Sequence, residues 1–283
     1  MGTDPTSRRP FGSAGRGRRW PRLAPIPVTV AILVLVACGD DTTNTDSDAA
    51  VAQAASGELG RFCGALLRFE QAGATGPDDY DAQSFQLWAR NEVRPALEEL
   101  VASAPTDLAD DWQATSEVFA ELERTGDPAV FEDPRLQSGP GPGDVGVERC
   151  GWTKQEFNAT EYRFDGLPDR LAAGVVDFVM TGAGNELHEA ALVRRKDGVT
   201  EPAEELLELA GLHEEEALDR VDLLGSILLF DTDGIEDMVV DLQPGDYILF
   251  CALPIGASSE DLLDQPDATP HWSEGMVHEF TVD

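Results

Sequence analysis

The chain has 283 residues, enough for two modest domains, and a formal net charge of −34. A surface this acidic repels phosphate groups, so nucleic acid is not expected as a partner and a membrane is expected only through a lipid anchor. The same charge would steer a basic protein partner toward it.

The N-terminal segment has the pattern of an export signal. An arginine-rich stretch (residues 8–22) precedes an apolar run at 28–37, which is shorter than the ~20 residues that span a bilayer. The run ends in LVAC, which matches a bacterial lipobox and would make Cys38 the lipid-modified first residue. We therefore predict a lipoprotein signal peptide over residues 1–37 and an extracytoplasmic protein anchored to the cell membrane. An ordinary secretory peptide is the alternative, and the sequence SRRPF leaves both Sec and twin-arginine export open.

Composition divides the rest of the chain into three parts. Residues 38–57 are small and acidic, so they cannot bury enough apolar surface to fold and are predicted to be a disordered tether. A flexible joint, SGPGPGDVG, separates the remainder. We assign residues 58–150 to a helical domain and residues 151–283 to a second domain.

Apolar residues in the helical domain recur at helical spacing in three stripes, separated by the turn sequences GATGPDD and SAPTD. The second stripe is interrupted at Pro95, and the third ends at Gly126. The pattern predicts a small antiparallel helical bundle. It contains no histidine and its carboxylates are scattered, so we expect it to support its neighbour or to provide a docking surface.

The second domain reads as a Greek-key β-sandwich of about seven strands, giving an α + β chain. Strands are predicted at 161–164, 175–181 and 186–194, and further ones follow an acidic helical insertion. A later strand begins at Tyr247 and is apolar on both faces, which favours a position inside the sandwich. The last strand is predicted at 276–282.

The four cysteines cannot all be accounted for in the same way. If Cys38 carries lipid, three remain in an oxidising compartment, and three cannot all pair. Cys63 and Cys150 flank the helical region, so we predict a disulfide between them. Cys251 is then the unpaired thiol, either as a metal ligand or as a plain buried cysteine.

Cys251 lies near the exit of its strand, His271 follows a loop, and Met276 comes soon after. Thiolate, imidazole and thioether together suit copper in an electron-transfer site, and His188 is placed to supply a second imidazole. His278 is the competing candidate, but it lies within the final strand and is predicted to be structural.

The segments TGAGNELHEAALVRR, PGDYILFC and HWSEGM resemble the plastocyanin/azurin-like blue copper proteins (cupredoxins) over roughly residues 157–283. The resemblance implies a cupredoxin-like domain with copper held by His188, Cys251 and His271, and by Met276 as a weak axial ligand. The loop from Cys251 to His271 is longer than is usual in that family. A doubled loop costs only about 0.6 kcal/mol, so the site survives if strands fix both ends.

The function implied by the resemblance is one-electron transfer with an unknown redox partner protein, and not an enzymatic reaction. Trp272, beside His271, is a candidate docking side chain. Copper sequestration or delivery without a redox role is one alternative, and a metal-free cupredoxin-like binding module is another. An oxidase is not expected, because the chain lacks the paired His-x-His motifs that clustered coppers require.

Overall fold

The computed structural model describes residues 57–77, 81–137, 139–212, 214–229, 231–258 and 269–283. The predicted signal peptide, the lipidation site Cys38 and the tether up to residue 56 lie outside the described residues. Within the described ranges, a helical region is followed by a β-sandwich of two sheets, which confirms the predicted fold class. No helix in these ranges is both long enough and apolar enough to cross a bilayer.

The α-helices of the described residues are α1 (Glu58–Thr75), α2 (Ala82–Trp88), α3 (Arg94–Ser103), α4 (Ala109–Thr125), α5 (Pro142–Val145), α6 (Ala203–Leu212) and α7 (Glu214–Leu218). Asp81 caps α2 by accepting the N–H of Ser84 at 2.8 Å. A π-helical turn, Ala89–Val93, joins α2 to α3, and Pro95 lies in the first turn of α3, directly after that turn. Gly126 ends α4 in the left-handed conformation (φ 66°).

Apolar faces of α1, α3 and α4 form the core of the helical region. Phe62, Leu66, Leu100 and Leu122 are fully buried there. A disulfide between Cys63 and Cys150 ties α1 to the turn that precedes the sandwich, as predicted from the cysteine count.

The strands of the described residues are β1 (Thr153–Thr160), β2 (Arg163–Asp165), β3 (Arg170–Leu171), β4 (Gly174–Gly182), β5 (Glu189–Arg195), β6 (Val221–Leu228), β7 (Ile235–Leu242), β8 (Gly245–Phe250) and β9 (Val277–Val282). One sheet has the order β2-β1-β4-β7 and the other β3-β9-β8-β5-β6. The chain crosses between the sheets after β2, β3, β4, β6 and β7, which gives the predicted Greek-key character.

The predicted first strand at 161–164 is wrong in its placement. The principal strand is β1, and the predicted segment instead forms a turn, with Tyr162 at φ 66°, and the short strand β2. In β1 only Phe157 and Ala159 are buried, so the apolar alternation that normally marks a strand is confined to its last few residues.

Helices cover the outer faces of both sheets. In β7, Val240 points into the sandwich core while its neighbour Val239 joins the helical core. In β8, Leu249 points into the sandwich and Ile248 packs beneath α6 against Leu206. The strand that is apolar on both faces is therefore buried between the opposite sheet and a helix.

Carboxyl groups are buried where the helical region packs against the sheet. Asp177 of β4 is 1% exposed, and Gly143 of α5 lies so close that a Cβ there would be 2.7 Å from its Oδ1. Burial, together with repulsion from Asp237, raises the pKa of Asp177 to about 6. Burial and the charges of Asp237 and Asp177 raise the pKa of Glu70, on α1, to about 8.

Candidate metal centre

Three polar side chains meet at one end of the sandwich because two neighbouring strands end there. β5 and β8 are antiparallel neighbours, with Ala191 opposite Phe250. His188, directly before β5, and Cys251, directly after β8, therefore lie side by side. His271 opens a short 3₁₀ turn, His271–Glu274, which leads into β9.

The possible ligand atoms of His188, Cys251 and His271 all lie within 4.8 Å of one another. Cys251 Sγ is 3.3 Å from His271 Nδ1, and the centroids of the two imidazole rings are 5.2 Å apart. All three residues are fully buried, at 0% exposure. The described residues contain no other group of three or more His, Cys, Asp or Glu side chains with this spacing.

The ring nitrogens of His188 lack hydrogen-bond partners among the described residues, which indicates that the cluster binds a further group. Both ring nitrogens are buried and neither has a hydrogen-bond partner among the described residues. Leaving a buried polar group unpaired costs about 1–3 kcal/mol, so such groups normally have one. A metal ion bound to one nitrogen would remove that cost, and the donor set of two imidazoles and a thiol suits copper or another soft metal.

Burial determines the protonation of His188 and Cys251. Burial, with a further contribution from the charge on His271, lowers the pKa of His188 to about 4. The ring is therefore neutral at pH 7 and has a lone pair available for a metal. Burial raises the pKa of the Cys251 thiol to about 12, so the metal-free protein keeps this proton and a bound cation would displace it.

Backbone groups fix the sulfur. The N–H of Glu189 donates to Cys251 Sγ at 3.3 Å, and the backbone of Leu253 also hydrogen-bonds to it. Such donors stabilise a thiolate and adjust the electron density on a metal-bound sulfur.

The long loop after Cys251 is closed near the site. Outside the segment 259–268, which is not described, its two ends are paired: Ile255 N–H donates to Thr269 O at 2.9 Å, and His271 N–H donates to Leu253 O at 2.8 Å. The N–H of Trp272 then donates to Cys251 O at 3.0 Å. These bonds set the distance from Cys251 to His271 independently of the length of chain between them.

Met276 contacts Cys251 and His271 through its backbone. It is fully buried in the sandwich core, its N–H donates to His271 O, and its carbonyl accepts the N–H of Cys251, both at 3.2 Å. His278, the competing candidate, lies outside the cluster. Its Nε2 is 3.1 Å from Pro168 O, and its ring stacks on Phe280.

Two residues that sequence reasoning missed lie on the outer side of His271. Glu186 Oε2 is 2.9 Å from His271 Nε2, and the ring of Tyr162 meets the imidazole edge-on with centroids 5.5 Å apart. Glu186 belongs to the loop before β5 and Tyr162 to the turn after β1. Glu186 and Tyr162 reach His271 only because these loops meet in the folded chain. The one signal in the sequence was that Glu186 lies two residues before His188.

No protein-family model and no curated protein matches the chain. A dithionite-reduced auracyanin from Roseiflexus castenholzii is similar to it at 15% identity, over 46% of this chain and 97% of that chain, with a TM-score of 0.32. Auracyanin A, a "blue" copper protein from Chloroflexus aurantiacus, matches at 17% identity, over 46% and 98%, with a TM-score of 0.30. An azurin from Methylomonas sp. strain J matches at 9% identity, over 46% and 98%, with a TM-score of 0.29. More than half of this chain lies outside each match.

Proposed function

We propose that the protein is a copper-binding electron carrier of the cupredoxin type. The supporting observation is the buried group of His188, Cys251 and His271, in which the His188 imidazole has no hydrogen-bond partner at either nitrogen among the residues that the structure describes. A thiolate and two neutral imidazoles are the principal ligands of blue copper sites. Bound copper supplies one-electron chemistry, by exchanging between its Cu(I) and Cu(II) states.

Each residue has a separate part in holding the metal. Cys251 gives up its thiol proton and binds through Sγ, which the Glu189 N–H already approaches at 3.3 Å. His188 binds as a neutral ring, and His271 binds through Nδ1, the nitrogen that faces Cys251. Met276, which is fully buried and bonded through its backbone to His271 and Cys251, is the weaker fourth ligand.

The surroundings of these side chains suit electron transfer because they are rigid. His188 and Cys251 are attached to the ends of hydrogen-bonded strands, and His271 is bonded through its backbone to the segment that follows Cys251. Ligands that cannot move apart keep nearly the same arrangement in both oxidation states, so little reorganisation accompanies each transfer.

The same features weigh against the two alternative functions. Delivery of copper to another protein requires a ligand that a recipient can reach, and His188, Cys251 and His271 are all fully buried. A metal-free binding module would retain His188 as an unpaired buried imidazole, at a cost of about 1–3 kcal/mol. We propose a carrier rather than an oxidase because the described residues hold a single metal-ligating group.

We further propose that the carrier is tethered to the outer side of the cell membrane through lipid on Cys38 and exchanges electrons with a basic redox protein. The net charge of −34 supports a basic partner, since opposite charges accelerate encounter. Transfer to such a partner should slow as ionic strength rises. Replacement of Cys38 by Ser should release the protein from the membrane fraction, and continued membrane retention would contradict the anchor.

The test of the copper site is the visible spectrum of the purified protein after addition of Cu(II). We expect an intense blue thiolate-to-copper absorption with one copper per chain. Cys251→Ser should abolish the colour. His278→Gln is the matched control, because it alters a histidine outside the cluster and should leave the colour unchanged. A colourless wild-type protein under these conditions would contradict the proposal.

A further inference from the structure

The outer nitrogen of His271 is capped by a carboxylate. His271 Nε2 lies 2.9 Å from Glu186 Oε2, on the side of the ring opposite the nitrogen that faces Cys251. His271 is 0% exposed and the Glu186 side chain is 22% exposed, so the contact is shielded from much of the solvent.

The carboxylate is held in place by the backbone on both sides. Its Oε2 also accepts the N–H of Gly256 at 2.6 Å, in the segment that follows Cys251. Next to it, the N–H of Leu187 donates to Ala257 O at 3.0 Å. The backbone of Glu186 is bonded in turn to Glu161, whose Oε1 accepts the Glu186 N–H at 3.3 Å. Glu186 is therefore a fixed link between the loop that carries His188 and the loop that leads to His271.

The contact determines the tautomer of the imidazole. An ionised carboxylate can only accept hydrogen bonds, so Nε2 of His271 must carry the proton. In the neutral ring Nδ1 is then unprotonated and presents its lone pair toward Cys251, whose thiol can donate to it across 3.3 Å. This is the arrangement a metal requires, because Nδ1 is available for a bond without any rearrangement of the ring.

We propose that Glu186 is a positioning residue that presents Nδ1 of His271 to the metal and lowers the reduction potential of the site. This inference rests on the proposed copper-binding function. A carboxylate bonded to the far nitrogen of a metal-ligating histidine raises the basicity of the ring. The added negative charge stabilises the doubly charged oxidised ion more than the singly charged reduced ion.

Glu274 provides a matched control for the charge. It lies on the same 3₁₀ turn as His271, it is exposed, and its charge acts on Tyr162 together with that of Glu186. Glu186→Gln and Glu274→Gln each remove one negative charge from this end of the protein, but only the first removes it from the ring of His271. Glu186→Gln also keeps an amide oxygen that can accept from Nε2, whereas Glu186→Ala keeps no acceptor.

The first experiment measures the reduction potential of the copper-loaded full chain by redox titration. We expect Glu186→Gln to retain the blue absorption and to shift the ratio of Cu(I) to Cu(II) affinity by about tenfold toward the reduced ion, which corresponds to a rise of about 59 mV. Glu274→Gln should shift the potential much less. Glu186→Asp keeps the carboxylate and should have a potential between those of the wild type and Glu186→Gln. An equal shift in Glu186→Gln and Glu274→Gln would overturn the proposal.

The second experiment needs no metal and separates this inference from the copper proposal. Nitrogen chemical shifts of His271 in the metal-free protein, measured by NMR, report which ring nitrogen is protonated. We expect Nε2–H in the wild type and in Glu186→Gln, and a loss of that preference in Glu186→Ala. A wild-type ring protonated at Nδ1 would overturn the role of Glu186, whatever the protein binds. A colourless wild type with an Nε2–H ring would instead remove the copper function and leave the capping contact standing.

Discussion

The centroids of the imidazole rings of His188 and His271 lie 5.2 Å apart, yet in the part of the chain that the structure describes only the His271 ring has hydrogen-bond partners. Both nitrogens of His188 are buried without a partner in these ranges. Such a residue destabilises the metal-free protein, because folding removes the ring from water without replacing its hydrogen bonds.

His188→Leu should therefore stabilise the metal-free protein while abolishing copper binding. Leucine fills a similar space without polar atoms, and we expect a gain of about 1–2 kcal/mol in the free energy of unfolding. Urea denaturation in the presence of a chelator measures it. His278→Leu is the control and should be destabilising, because it removes a bond to Pro168 O. A loss of stability in His188→Leu would show that the wild-type ring is satisfied.

The affinity for copper should rise with pH. The metal-free thiol of Cys251 has its pKa raised to about 12, so between pH 7.5 and 9 copper must displace one proton from it. His188, with its pKa lowered to about 4, releases none in this range. Affinity should increase about tenfold per pH unit, measured by competition with a chelator of known pH dependence. Proton release in weak buffer should be about one per copper, and a flat profile would exclude the thiolate as a ligand.

Glu70→Gln should stabilise the protein at high pH and have little effect at low pH. The folded-state pKa of Glu70 is raised to about 8 from an ordinary value of 4.5, so the folded protein binds the proton more tightly than the unfolded chain. Stability is consequently lost as pH rises from about 4.5 to 8. Glutamine removes this loss, and we expect a gain of about 1–3 kcal/mol above pH 8.

Denaturation of the Glu70→Gln variant at pH 4 and pH 8.5 measures this difference. Glu98, exposed on α3, provides the control, and Glu98→Gln should change stability by less than about 0.5 kcal/mol at either pH. Equal effects of Glu70→Gln at both pH values would contradict the raised pKa of Glu70.

The double variant Cys63→Ala/Cys150→Ala should lose stability but keep its colour. The disulfide closes a long loop, with a sequence separation of 87, and its removal should cost about 2–4 kcal/mol. Cys251 is not part of this bond, so the folded variant should still bind copper through it. Thermal unfolding and the visible spectrum measure the two effects separately. A folded but colourless variant would mean that the cysteines act together in the site.

Local chemistry made much of this site predictable. An odd cysteine in a chain with a predicted export signal pointed to Cys251, and imidazole and thioether groups near it in sequence pointed to His271 and Met276. The alternation of β4 and the turn after it led to a strand predicted at 186–194 that contained His188, but the observed strand begins at Glu189 and His188 lies directly before it.

The remaining features depend on contacts between distant segments. β1 was missed because it is polar along most of its length and owes its position to the parallel neighbour β4. Glu186 meets His271 only because three loops converge, with a sequence separation of 85. The two apolar faces of β8 indicated burial, but only the structure shows that α6 covers one of them.

The pairing of Leu253 with His271 and of Ile255 with Thr269 has an evolutionary consequence. These backbone hydrogen bonds join the two ends of the loop, so the positions of Cys251 and His271 do not depend on the residues between those ends. Insertions or deletions between Ser258 and Thr269 should therefore leave the distance between Cys251 and His271 unchanged.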